Sequence, residues 1–155
     1  MTPAINTATK NNVIHHIHEY SHDEASESYG DEAAQKLGIS PERVFKTLVV
    51  NIDHKTLIVA IIPVSAMLSM KLIAKAYQGK KATMALKIDV ERSTGYVLGG
   101  VSPLGQKKRL STFIDISAKE FTTVFVSAGK RGLEIELSPQ DLQTLTQATL
   151  TDICQ

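Results

Sequence analysis

Two apolar runs rich in β-branched residues, Val44 to Ile52 and Leu57 to Ile62, are separated only by Asp53-His54-Lys55-Thr56. Such runs joined by a short polar turn are the sequence form of a β-hairpin. Little else in the chain is as apolar for as long, so this hairpin is predicted to be central and the remaining elements to pack around it. The longest apolar run, Leu57 to Pro63, is far too short to span a bilayer.

The flanking segments supply both strands and helices. The spacing of Val13, Ile14 and Ile17 predicts a first helix opening at Thr7 or Thr9 and ending near Tyr20. Asp31 to Leu37 reads as a short helix with acids in its first turn and a glycine stop at Gly38, and Ser65 to Tyr77 as a longer one stopped by Gly79. Ala82 to Ala85 is a weak strand, after which Asp89 caps a helix over Val90 to Thr94. Thr112 to Ile116 and Phe121 to Val126 read as strands, and 128–132 as a turn. The alternation Leu133-Glu134-Ile135-Glu136-Leu137 predicts a strand with one wet face. Ser138-Pro139 opens a C-terminal helix carrying Leu142, Leu145 and Leu150. Strands with irregularly interspersed helices indicate an α+β fold with a mixed sheet, since strict βαβα alternation is absent. At 155 residues the chain is expected to form a single domain, 1–155.

Composition narrows the function classes. Net charge is only +1, so a polyanionic partner must be met by a local basic patch. Aromatics at 5% argue against an extended stacking platform for single-stranded RNA. The single cysteine, Cys154, excludes an intramolecular disulfide and a Cys-rich metal site, and near the end of the chain it is a poor nucleophile candidate. No signal-peptide pattern follows Met1, and the expected location is the cytoplasm.

Three segments invite chemical readings. His18-Glu19-Tyr20-Ser21-His22 matches the short zinc-protease pattern, but the sequence turns polar after Tyr20 and no third ligand follows at a suitable spacing. Ser127 to Gly132 follows a strand but lacks the glycine and the hydroxyl residue that a phosphate loop requires around its lysine, and no Gly-x-Ser-x-Gly elbow is present. Lys46 is sharper: in an extended strand it shares a face with Val44, Leu48 and Val50. A lysine there either clamps an anion, acts as a base of lowered pKa, or lays its stem on apolar surface with its head in water.

The stretch from Tyr96 to Leu110 departs most from core-building sequence: Gly99-Gly100, then Ser102-Pro103, then Gly105, closed by Lys107-Lys108-Arg109. Glycines admit a ligand close to backbone amides and Pro103 stiffens the loop, so it is either a pocket wall or a tight connection. The three cations offer contacts to an RNA backbone.

Val44-Phe45-Lys46-Thr47-Leu48-Val49, the Gly99 to Gly105 loop and Val126-Ser127-Ala128-Gly129, in that order, resemble the YbaK family of aminoacyl-tRNA deacylases, relatives of the prolyl-tRNA synthetase editing domain. The resemblance runs over nearly the whole chain. It implies a partly closed β-barrel-like sheet surrounded by helices, with Lys46 holding the acylated terminal adenosine and Gly99 and Pro103 in a loop against the ester. It further implies that Tyr20, Thr47, Gly100, Ser102, Ser127 and Gly129 line the pocket; Lys107, Lys108 and Arg109 are expected, from their charge, to meet tRNA phosphates. The implied activity is deacylation of mischarged Cys-tRNA(Pro) by attack of the substrate's own thiol, without metal or cofactor, in partnership with prolyl-tRNA synthetase and with no membrane or DNA partner. Editing of another ester such as Ala-tRNA(Pro), and non-catalytic binding of aminoacyl-tRNA or nucleotide, remain the competing readings, with a metalloprotease the outsider.

Overall fold

In a computed structural model, which describes residues 1–24 and 29–155, the predicted hairpin is β2 (Phe45–Ile52) and β3 (Thr56–Pro63), paired antiparallel from Phe45 opposite Pro63 to Ile52 opposite Thr56. Asp53 and His54 both take φ of 56°, the left-handed geometry of a tight hairpin turn. The Asp53 carboxylate accepts from the Lys80 and Lys81 amides, which ties the turn to the next element.

The hairpin's apolar residues divide by the two-residue period of a strand. Phe45, Val49, Val59 and Ile61 belong to one core, while Val50, Ile52, Ile58, Ala60 and Ile62 belong to another on the opposite face. Burial on both faces is why β3 reads as an unbroken apolar run rather than an alternation.

Around the hairpin the sheet is mixed. β4 (Ala82–Met84) pairs antiparallel with the far end of β2, while β5 (Thr112–Asp115) and β8 (Thr149–Thr151) extend the other side in parallel, giving the order β4-β2-β3-β5-β8. A second, antiparallel sheet has the order β1-β7-β6, from β1 (His15–Glu19), β7 (Leu133–Leu137) and β6 (Val124–Lys130). The sheets are not closed into a barrel. They adjoin at a parallel bridge between Val44 and Phe125, and the Phe125 amide donates to the Arg43 carbonyl.

Helices cover the faces. α1 (Pro3–Lys10), α4 (Lys87–Thr94) and α5 (Pro139–Thr146) contribute Ala4, Ala8, Val90 and Leu142 to the core shared with the second sheet. α3 (Met70–Tyr77) packs Ile73 and Ala74 on the opposite face, and α2 (Tyr29–Leu37) lays Ala33 and Ala34 over Val44 and Phe125 where the sheets meet. No helix among the described residues is long and apolar enough to cross a membrane.

Several elements differ from the sequence reading. The predicted first helix is two elements: α1, capped by the Thr2 hydroxyl with Pro3 in its first turn, and the strand β1, held by five residue pairs to β7. α3 begins at Met70 rather than Ser65, since Ser69 supplies the N-cap. α4 starts at Lys87, ahead of Asp89. β6 starts at Val124 and continues through the predicted turn to Lys130 across a bulge, with Gly129 at φ 101°. α5 stops at Thr146, so Leu150 lies in a strand. The C-terminus is anchored rather than frayed: Cys154 bridges Leu68, and the Gln155 amide donates to the Met67 carbonyl.

Candidate active site

β4 covers β2 only at Val50 to Ile52. On that edge the Arg43 carbonyl is used by Phe125 and the Val49 carbonyl by Ala85. Because backbone polar groups alternate sides along a strand, Thr47 directs its N–H and C=O to the same edge, between those two contacts. A cavity of about 90 Å³ opens at this gap in the seam between the sheets. Lys46 and Thr47 wall it from β2, Ser127 and Lys130 from β6, and Glu134 from β7. Tyr20, Tyr29, Gly99 and Arg131 also line it, over an apolar base that includes Val44, Phe45 and Val101.

Each wall group is placed by something local. Lys46 is half-buried, opposite Ile62, and its ammonium makes no hydrogen bond or ion pair among the described residues. The Thr47 hydroxyl is buried with no hydrogen-bond partner among them. An unmet buried hydroxyl is costly and marks a point of unspent polarity in the cavity wall. The Ser127 hydroxyl accepts from the Gly129 amide, 3.1 Å away, inside the bulge that carries Lys130. Gly99 sits at φ 99°, and a Cβ on it would lie 3.0 Å from the Tyr29 ring, so loop backbone lies directly on an aromatic face. Tyr20 is fixed through its amide to the Gly132 carbonyl, and burial followed by the nearby Glu134 raises its phenol pKa.

Glu134 sets the electrostatics of the inner wall. Its side chain is buried, and burial alone pushes the carboxyl up to about 8. Near neutral pH it is poised to donate a hydrogen bond, and an ammonium placed beside it would draw off its proton and pair with it. Three cations, Lys46, Lys130 and Arg131, share the same small cavity. The site therefore suits a ligand that joins an anion to an amine.

The sequence profile of the aminoacyl-tRNA editing domain matches residues 23–145. The chain belongs to the aminoacyl-tRNA editing domain family. It is 42% identical over 124 residues, 79% of this chain and 75% of the other, to an Enterococcus faecalis protein provisionally named Cys-tRNA(Pro)/Cys-tRNA(Cys) deacylase EbsC. To the Bacillus subtilis protein YwhH it is 30% identical, with 85% and 84% of the two chains covered. A crystal structure described provisionally as a trans-editing enzyme for prolyl tRNA synthetase superposes with a TM-score of 0.83 over 100% of this chain and 99% of the other, at 20% identity, which shows a shared fold.

In this editing domain the residues singled out from sequence fall into two groups. Tyr20, Lys46, Thr47, Gly99 and Ser127 surround the one cavity. The others are placed elsewhere. Gly100 packs on the β6–β7 turn, where a Cβ would come within 3.0 Å of the Lys130 Cα. Ser102 is fully buried, its hydroxyl accepting from the Leu104 amide. Gly129 lies against the Tyr96 ring, and Pro103 lines a different cavity of about 130 Å³ together with Lys108 and Arg109. Lys107 is exposed, its amide spent on the Thr94 carbonyl. None of these positions lines the cavity of Lys46.

The zinc pattern is dispersed. His18 lies in β1 and pairs with Glu136 at 2.9 Å, while His22 lies beyond the strand and pairs with Glu32 at 3.1 Å. Among the described residues no three His, Cys, Asp or Glu side chains group as metal ligands. Burial and then Asp115 push the Cys154 thiol up to about 12, which leaves it a weak nucleophile for a reason other than fraying.

Sequence reasoning missed Tyr29 and misjudged Glu134. The acidic alternation in β7 is real, but its face turns inward: Glu136 is held by Thr123, His18 and Arg43, and Glu134 faces the cavity. A pH effect follows from this burial. With a folded pKa raised from 4.5 to about 8, Glu134 carries no penalty below about 4.5, and stability falls as pH rises toward about 8 because only the unfolded chain ionises freely in that window. Glu134→Gln is expected to flatten that loss, raising the midpoint at pH 8 by several degrees relative to wild type while matching it near pH 4.5. Thermal melts across the window check this, and an unchanged slope in the variant would place the titration elsewhere.

Proposed function

We propose that this editing domain deacylates mischarged Cys-tRNA(Pro) and that the cavity beside Lys46 holds the aminoacyl ester. The reading is carried by one observation: a small cavity joins three cations to a buried carboxyl of raised pKa. The 3′ end of an aminoacyl-tRNA offers the complementary charges, a phosphate-bearing nucleotide and a free α-ammonium on one ester.

Lys46 would hold the terminal ribose and phosphate side, and Glu134 would receive the ammonium. The Thr47 amide and hydroxyl, with the Gly99 backbone, are the donors closest at hand for a developing oxyanion. Among the described residues no histidine lines the cavity, and the Ser127 hydroxyl is bonded within its own bulge, so no side chain there is an activated nucleophile. The substrate thiol supplies the nucleophile instead. Its sulfur attacks the ester carbonyl, the carbon–oxygen bond to the ribose breaks, the thiol proton passes to the leaving ribose oxygen, and a cyclic thioester departs for hydrolysis by water. The protein contributes alignment, which can supply several kcal/mol of the barrier. Prolyl-tRNA synthetase is the proposed partner and the cytoplasm the proposed location; a net charge of +1 suits a protein that leaves recognition of the tRNA body to another.

The test compares release from Cys-tRNA(Pro), Ala-tRNA(Pro) and Pro-tRNA(Pro), with and without a chelator. Cysteine should be released at least about tenfold faster than proline, unaffected by chelation. Faster release of alanine would point to a water nucleophile, and equal rates for all three would remove the reading.

A further inference from the structure

Glu32 and Arg131 form a charged assembly beside the cavity, and Arg131, one of its three cations, has no contact assigned in the chemistry above. The Glu32 side chain is only 3% exposed; it accepts hydrogen bonds from His22 Nδ1 at 3.1 Å and the Asp23 amide at 2.8 Å, and two cations lie within ion-pair distance, Lys36 Nζ at 3.5 Å and Arg131 Nε at 3.8 Å. Burial pushes its carboxyl up, but the His22 hydrogen bond and the Asp23 amide outweigh this and hold it below the usual carboxylate range, so it stays ionised. A buried ion pair contributes little net stability, and so much paired charge in one place is better explained by what it holds still.

What it holds is a guanidinium. Arg131 Cζ lies 4.0 Å above the Tyr29 ring and Nη2 donates to the Asp23 carbonyl at 3.3 Å, while the other side of the assembly presses Tyr29 onto Gly99. Both Arg131 and Tyr29 line the cavity, next to Lys130. An arginine normally spends considerable rotamer entropy when it binds, and one already flat on an aromatic ring has lost that freedom beforehand. A guanidinium carries five N–H donors, so one that already serves acceptors within the protein can serve an anion as well.

We propose that Arg131 anchors the phosphate on the 5′ side of the acylated nucleotide and that Glu32 is the residue that positions it. The inference rests on the deacylase reading for its substrate: an esterified amino acid has lost its carboxylate, so the anion beside the ester is the phosphate one sugar away. A planar guanidinium matches a phosphate's paired oxygens better than a lysine does.

Calorimetric titration with adenosine and with adenosine 5′-monophosphate tests this without needing turnover. Wild type should bind the monophosphate about tenfold or more tighter than adenosine. Arg131→Met should erase that preference, Arg131→Lys should restore part of it, and Glu32→Gln should reduce it without adding to the loss in Arg131→Met. In deacylation of Cys-tRNA(Pro), Arg131→Met should raise KM far more than it lowers kcat. No preference for the monophosphate in wild type, or equal weakening of both ligands by Arg131→Met, overturns the anchor. A preserved preference in a protein that releases no aminoacyl group would leave the anchor standing and remove the deacylase reading instead. If Glu32→Gln does not fold, the two Arg131 variants decide the matter alone.

Discussion

Lys46→Ala is expected to lower kcat/KM for deacylation of Cys-tRNA(Pro) by about a hundredfold, ~3 kcal/mol of transition-state stabilisation. Circular dichroism and the melting midpoint should barely change. The reason lies in the surroundings: Lys46 is half-buried on β2 and pairs with no carboxylate among the described residues, so its removal orphans no charge. In the proposed reaction Lys46 holds the substrate, and its loss should misplace the ester relative to the Thr47 and Gly99 backbones. Full activity in the alanine variant would remove Lys46 from the account.

Gly99→Val is expected to be more damaging still, with deacylation reduced more than a hundredfold and the midpoint lowered. Two effects add. A β-branched residue at φ 99° is strained by about 1–3 kcal/mol. A side chain there would also begin 3.0 Å from the Tyr29 ring, where the cavity wall lies. Gly38→Ala is the control, since Gly38 also has positive φ, at 68°, but has nothing within 4 Å of an added Cβ and lies outside the cavity wall. It should lose about 1 kcal/mol of stability and keep its activity per folded molecule. Parallel denaturation and rate measurements on the two variants separate backbone strain from occlusion of the site.

How much of this was legible in the chain depends on whether the information is local. The β2–β3 hairpin was, because β-branched runs and a polar turn are sufficient by themselves. β1 was not: Val13, Ile14 and Ile17 imitate a helical stripe, and only pairing with β7, more than a hundred residues away, makes the segment a strand. The start of α1 was missed although Thr2-Pro3 is the same cap and proline signal that was read at Ser138-Pro139. α5 ends on a left-handed glutamine, Gln147, where glycine or asparagine would have announced the stop, and β8 was hidden behind it.

The site divides along the same line. Lys46 stood out because a lysine among apolar strand neighbours violates a local pattern, and Gly99 because a glycine pair before Ser-Pro does. Glu134 obeyed a local pattern, apolar alternating with acidic, whose usual meaning is a solvated face. Its burial depends on how the second sheet meets the first, which no short-range rule contains. Tyr29 gave no signal, since its role is set by contact with Gly99 and Arg131. The loop from Tyr96 to Leu110 proved to have two ends of different character, Gly99 at the Lys46 cavity and Pro103 to Arg109 at another.

In the proposed reaction the substrate's own sulfur performs the attack while the cavity aligns it. The most direct test is single-turnover release from Cys-tRNA(Pro) and from Ser-tRNA(Pro), in which a hydroxyl replaces the thiol at nearly the same size and shape. A hydroxyl is a far weaker nucleophile near neutral pH, so the account predicts release of cysteine at least about a hundredfold faster than serine. Equal rates for the two esters would contradict it and assign the attack to a water molecule held by the protein.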